Sequence, residues 1–197
     1  MKFDIMFYMN NILQTQENLL RAFSGESQAR NKYNVFAKMA RKENWEWIAR
    51  VFEETADNER AHAEELFEQI EKPIFKVPTE LEIKPFSQTL DNLKTAAEGE
   101  KYEWTKMYPE FEKIALQEKQ PEAVRLFGQL KKVEEKHEER YLIIARKLDN
   151  KTLYDSDTEL EWKCVNCGYI HKGKRPPEKC PVCKKPMTWY MPLGLVR

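Results

Sequence analysis

Glu59-Arg60-Ala61-His62 and Glu134-Glu135-Lys136-His137 are the two stretches on which the fold turns. The chain holds three histidines, and two of them stand three residues after a glutamate in strongly helical sequence. Residues i and i+3 share a helix face, so each glutamate–histidine pair points one way. Two such helices, joined by single glutamates from two others, describe a dinuclear metal site inside a four-helix bundle.

Apolar periodicity supplies the four helices. The first spans about residues 12–41, the second 43–71, the third 88–117 and the fourth 121–149. Pro109 predicts a kink in the third, and Pro121 occupies the favoured first turn of the fourth. Three prolines in 72–87 exclude a continuous helix there. Short joins after helices one and three make antiparallel neighbours, and the long middle segment is sufficient for the crossover of a ferritin-like bundle. The expected organisation is a tail at 1–11, a bundle at 12–149, a linker at 150–157 and a small cysteine-rich module at 158–197.

The ligand candidates fall on the apolar stripe, where charge is out of place. The series are Leu19, Phe23, Glu26, Tyr33; Ile48, Phe52, Thr55, Glu59, His62, Leu66; Leu93, Ala96, Glu100, Glu103, Met107, Phe111; and Phe127, Leu130, Glu134, His137, Tyr141. An unpaired buried carboxylate costs several kcal/mol. Five converging carboxylates therefore require cations, and two divalent ions offset most of that charge. Glutamate and histidine suit iron or manganese, and zinc also fits. Other glutamates, such as Glu54, Glu64 and Glu138, read as solvated surface charge. Glu103 is a surplus carboxylate, either a surface partner for Lys106 or a ligand that exchanges with His62. Tyr33, seven residues after Glu26, is the first choice for a hydrogen bond to a ligand, with Tyr102 and Tyr108 as alternatives and core filling as the competing role.

The helices also repeat. Ser24-Gly25-Glu26 parallels Glu98-Gly99-Glu100, and Ile48–Phe52 parallels Ala123–Phe127. Glu26 to Glu59 is 33 positions and Glu100 to Glu134 is 34, which implies a pseudo-twofold axis through the metal site. Gly25 and Gly99 each cost about 1 kcal/mol relative to alanine within a helix, and close packing beside the metals would offset it.

Cys164-Val165-Asn166-Cys167 and Cys180-Pro181-Val182-Cys183 form two knuckles. Four thiolates at this spacing make a tetrahedral site for zinc or for a single iron. No cysteine remains for a disulfide framework, and without an export signal a cytoplasmic location is expected. Lys+Arg and Asp+Glu both total 33, which argues against nucleic-acid or membrane attraction. No apolar run is long enough to span a bilayer. His171 has no glutamate three residues before it and reads as a surface residue of the module.

Both modules together resemble rubrerythrin. The segments that carry the likeness are Ala22–Tyr33, Phe52–His62, Gly99–Pro109, Val133–Glu138 and Trp162–His171 with its second knuckle, and the resemblance covers about residues 15–195. It implies a non-haem diiron peroxidase that reduces hydrogen peroxide to water. In that family pattern Glu59 and Glu134 bridge the irons, Glu26 binds one iron, and Glu100 with His137 binds the other. The first iron takes Glu103 when oxidised and His62 when reduced. Cys164, Cys167, Cys180 and Cys183 hold a rubredoxin-like iron that relays electrons from NAD(P)H through a separate reductase or rubredoxin. A homodimer is implied, in which the thiolate-bound iron serving a diiron centre can belong to the partner subunit. The bundle alone would also permit ferroxidase or iron-handling chemistry, and zinc at both sites would give a non-enzymatic metal-binding protein.

Overall fold

The computed structural model describes residues 13–71 and 87–194. The apolar tail expected at 1–11 and nearly all of the expected crossover segment lie outside the described residues. Helix α1 spans Gln14–Lys42, α2 Glu46–Glu68, α3 Thr89–Tyr102, α4 Tyr108–Gln117 and α5 Pro121–Asp149. A π-helical turn, Glu103–Met107, joins α3 to α4, so the third rod of the bundle is interrupted. The discontinuity expected at Pro109 therefore sits just before it. Within this turn Tyr108 N–H donates to the Glu103 carbonyl, five residues back, and the Thr105 hydroxyl donates to the Lys101 carbonyl at 2.5 Å. One residue is thus accommodated beyond the α-helical count.

The joins between paired rods are alike. Asn44 and Lys119 both adopt positive φ, 64° and 56°, and Trp45 and Gln120 donate back to the Ala40 and Ala115 carbonyls. These reversals set α1 against α2 and α4 against α5. The helix ends fix the remaining connection. Glu43, after the end of α1, accepts from the Thr89 N–H at the start of α3. Glu118, after the end of α4, accepts from the N–H groups of Gln14 and Thr15 and from the Thr15 hydroxyl at the start of α1. Both carboxylates satisfy donors that a helix N-terminus leaves free. Since α2 and α3 begin at the same end of the bundle, they run parallel. The end of α2 and the start of α3 therefore lie at opposite ends of the bundle, the arrangement that a ferritin-like crossover joins.

Two apolar layers fill the interior. One holds Leu19, Leu66, Tyr108, Phe111, Phe127 and Leu130. The other holds Tyr33, Phe36, Ile48, Phe52, Leu93, Tyr141 and Ile144. On each of the rods, Glu26, Glu59, Glu100 and Glu134 lie between the layers, so the carboxylates form a polar stratum sealed above and below.

Beyond α5 the chain forms a three-stranded antiparallel sheet of order β2-β1-β3, from β1 Leu160–Cys164, β2 Ile170–Gly173 and β3 Tyr190–Pro192. The segment expected as a linker is partly core. Tyr154 is 5% exposed and stacks on Trp45 while also meeting Trp47 and Trp162, so the small module shares apolar packing with one end of the bundle.

Candidate metal centre

Each glutamate–histidine pair arrives on one inward helix face, as its spacing requires. Glu26, Glu59 and Glu134 are fully buried, Glu100 is 1% exposed, and His62 and His137 are 9% and 6% exposed. Glu26, Glu59, His62 and Glu134 offer ligand atoms within 4.8 Å of one another, and so do Glu59, Glu100, Glu134 and His137. Glu59 and Glu134 belong to both sets. Glu59 Oε2 lies 2.8 Å from His62 Nδ1, and its Oε1 lies 3.3 Å from His137 Nδ1. Glu134 repeats this with the histidines exchanged, 2.8 Å to His137 and 3.3 Å to His62. The two imidazoles face each other, centroids 6.0 Å apart.

The phenols complete the symmetry. Tyr33 O–H donates to Glu100 Oε1 at 2.5 Å, and Tyr108 O–H donates to Glu26 Oε1. Each tyrosine thus serves the glutamate of the opposite rod. Tyr102, the other candidate, is 60% exposed and takes no part. Tyr108 was one of three candidates by sequence. The signal that could have singled it out is the one-residue surplus between Glu100 and Glu134.

The electrostatics show what the cage is built for. Burial raises the proton affinity of Glu26 to about 7, although His62 opposes it. Burial and the Glu59 charge hold Glu100 well above the ordinary carboxylate range, and burial with Glu26 and Glu59 does the same for Glu134. Burial alone would lower His62, but Glu26, Glu59 and Glu134 drive it to about 11. Burial would raise Glu59, but His137 and His62 bring it to about 2. Protons are thus held in the absence of cations. Among the described residues, Glu26 Oε2, both oxygens of Glu59 and Glu134, Glu100 Oε2 and both histidine Nδ1 atoms are buried with no partner in hydrogen-bond geometry, close as the imidazoles lie to the carboxylates. Such orphaned acceptors converging on two points fit a pair of divalent cations.

Glu103 sits in the π turn beside this cage, half-buried, and belongs to neither ligand set in this arrangement. Burial and the charges of Glu26 and Glu59 raise it, and Lys32 opposes them. Glu138 departs from the surface role expected of it, because Trp104 Nε1 donates to it at 2.5 Å. The expectation of close packing at the helical glycines also fails. Among the described residues, a Cβ on Gly25 would meet nothing within 4 Å, and one on Gly99 would meet only the Lys32 ammonium, at an ordinary 3.5 Å.

In the small module Cys164 Sγ lies 3.6 Å from Cys183 Sγ, and Cys167 Sγ lies 3.6 Å from Cys180 Sγ. Four sulfurs about 2.3 Å from one ion stand ~3.8 Å apart, whereas a disulfide is about 2.05 Å. The knuckles turn alike: Gly168 N–H returns to the Cys164 carbonyl and Lys184 N–H to that of Cys180, with φ of 79° and 62°. Despite some burial, the Cys183 and Val182 N–H groups and the Tyr190 hydroxyl bring the Cys180 thiol to about 6. His171 on β2 is not among these ligands.

The family profile described as Rubrerythrin matches residues 17–145, and that described as Rubrerythrin, rubredoxin-like domain matches residues 162–189. The chain belongs to the rubrerythrin family. It is 39% identical over 91% of its length to a Rubrerythrin of Porphyromonas gingivalis, covering 90% of that protein. It is 40% identical to a Rubrerythrin of Nitratidesulfovibrio vulgaris, over 92% of this chain and 95% of the relative. Among solved structures, nigerythrin in a mixed-valence state superposes with a TM-score of 0.63 and 37% identity, covering 90% of this chain and 86% of that one. The bundle therefore carries the diiron carboxylate–histidine site of the rubrerythrins, and the small module carries their rubredoxin-like four-cysteine site. No helix among the described residues is long and apolar enough to cross a membrane.

Proposed function

We propose that the chain is a diiron peroxidase that reduces hydrogen peroxide to water with two electrons and two protons. The observation that carries this reading is the disposition of Glu59 and Glu134, each of which turns one oxygen to His62 and the other to His137. Carboxylates so placed would be shared between two ions. Glu26 and His62 complete one ligand set, and Glu100 and His137 the other. When bound there, a ferrous pair would supply the two electrons that cleaving the O–O bond demands.

The surrounding residues set the conditions. Glu103 would exchange with His62 at the first position as the charge of the site changes. Tyr33 and Tyr108 keep their protons, since burial and then the Glu100 and Glu26 charges respectively raise both phenols well above their ordinary range. Each fixes one carboxylate oxygen and leaves the other free for metal. The apolar layers on either side limit water.

Cys164, Cys167, Cys180 and Cys183 would hold an iron with four thiolates, and that iron would supply single-electron relay without offering peroxide a place to bind. Those electrons come from NAD(P)H through a separate reductase or a rubredoxin. Within one chain the module packs near Trp47, twelve residues from Glu59 on α2, which at 1.5 Å per residue is about 18 Å before the cysteines are reached. Electron transfer weakens steeply with distance, which supports a homodimer whose partner subunit brings its own cysteine module closer.

The test is stopped-flow mixing of anaerobically reduced protein, iron-loaded as its native host makes it, with hydrogen peroxide. Rapid oxidation of both iron centres is expected. A zinc-filled cysteine site, or iron that stays reduced, ends the proposal.

A further inference from the structure

Lys32 stands on α1 directly before Tyr33, and its ammonium lies 5.0 Å from the centre of the Tyr33 ring. The same ammonium lies 3.5 Å from where a Cβ would stand on Gly99. Glu103 follows Gly99 by four residues, and a helical side chain leans back over the turn preceding it. Lys32 and Glu103 are therefore placed on the same side of the third rod at Gly99, and the Lys32 charge acts on the Glu103 carboxylate. We propose that Lys32 is a positioning residue whose ammonium holds the Glu103 carboxylate off the first metal position while His62 occupies it. The proposal rests on the ligand-exchange reading given above.

One observation and two general arguments support the assignment. A carboxylate released from a cation into a half-buried place needs a countercharge. The Lys32 charge opposes the burial and the carboxylates that raise Glu103. A lysine has a flexible stem, so its ammonium can follow a carboxylate that moves. Gly99 leaves that path clear, and a side chain longer than alanine there would displace the ammonium.

The consequence has a sign. Lys32 stabilises the arrangement in which Glu103 is released, which is that of the reduced site, so losing Lys32 disfavours reduction. The experiment is spectroelectrochemical titration of the iron-loaded full chain, without peroxide. The variants are Lys32→Met, Lys32→Gln, Lys32→Arg, Glu103→Gln and the double variant Lys32→Met with Glu103→Gln. Expected are a lower midpoint potential for the bundle irons in Lys32→Met and Lys32→Gln, recovery in Lys32→Arg, and less than half of the Lys32→Met shift in the Glu103→Gln background. An equal shift in both backgrounds, or none in either, overturns the proposal, because Lys32 would then act as a distant charge or not at all. Peroxide reactivity, measured separately, decides the peroxidase reading, so each can fail alone.

Discussion

Tyr33 and Tyr108 make the same hydrogen bond on opposite sides of the cage, although one lies seven residues after Glu26 and the other eight after Glu100. The extra residue is absorbed by the π turn Glu103–Met107. It is also the surplus that separates the spacing of 34 between Glu100 and Glu134 from the 33 between Glu26 and Glu59. The turn keeps the second phenol and everything after it in register, while adding a carboxylate where α1 has Ala29.

Shortening that turn should separate structure from turnover. Deleting Lys106, which is exposed, restores a seven-residue interval and lets the rod close as an α-helix. The deletion is expected to keep two zinc or cobalt ions in the bundle, counted by elemental analysis, and to slow peroxide turnover about tenfold, ~1.4 kcal/mol of barrier. Loss of both bundle ions would show that the turn is needed to build the cage.

The phenols should matter to the metals about equally. Tyr108→Phe leaves Glu26 Oε1 without its donor, and Tyr33→Phe does the same to Glu100. Each is expected to weaken cobalt binding about tenfold or more, as losing a partner of a metal ligand does, and to cost the metal-free fold about 1–3 kcal/mol. Cobalt titration and urea unfolding measure the two effects. Undiminished affinity in both variants would leave the phenols as core filling.

Loading the cage should release protons. Glu26, raised to about 7 from 4.5, stabilises the metal-free fold fully below pH 4.5 and loses that contribution as pH rises through 7. His62, raised to about 11 from 6.5, contributes fully below pH 6.5 and loses it as pH rises through 11. From pH 5.5 to 8 the metal-free protein should therefore become less stable as the stabilisation on zinc binding grows. Thermal unfolding with and without zinc at both pH values checks this, together with proton release in a pH-stat. Zinc uptake without protons would mean that the carboxylates were already ionised.

Gly25 is a stabilising opportunity. Its surroundings are open, so Gly25→Ala is expected to raise stability by about 1 kcal/mol, seen as a higher urea midpoint with an unchanged slope. A loss would point to a neighbour outside the described residues.

Much of this was legible in the sequence because two rules reinforce each other: i, i+3 spacing puts glutamate and histidine together, and the apolar stripe turns them inward. The crossover and the four-cysteine knuckles followed from proline placement and thiol spacing. What escaped was tertiary. Glu43 and Glu118 cap helices far away in the chain, and Glu138 takes the Trp104 indole, although each looks like surface charge by spacing. The position of the π turn escaped as well, since the surplus residue is visible only as a total. Closeness at Gly25 was expected from its neighbour Glu26, but the glycine lies on a different side of α1.

Tyr154 gives the molecule a mechanical property. Because its ring is clamped by Trp45 and Trp47 from the bundle and by Trp162 from the small sheet, the sheet cannot swing away without stripping cover from the bundle's own end. Heat should therefore melt the two together, and indole fluorescence should report one sigmoid where a loosely tethered module would give two.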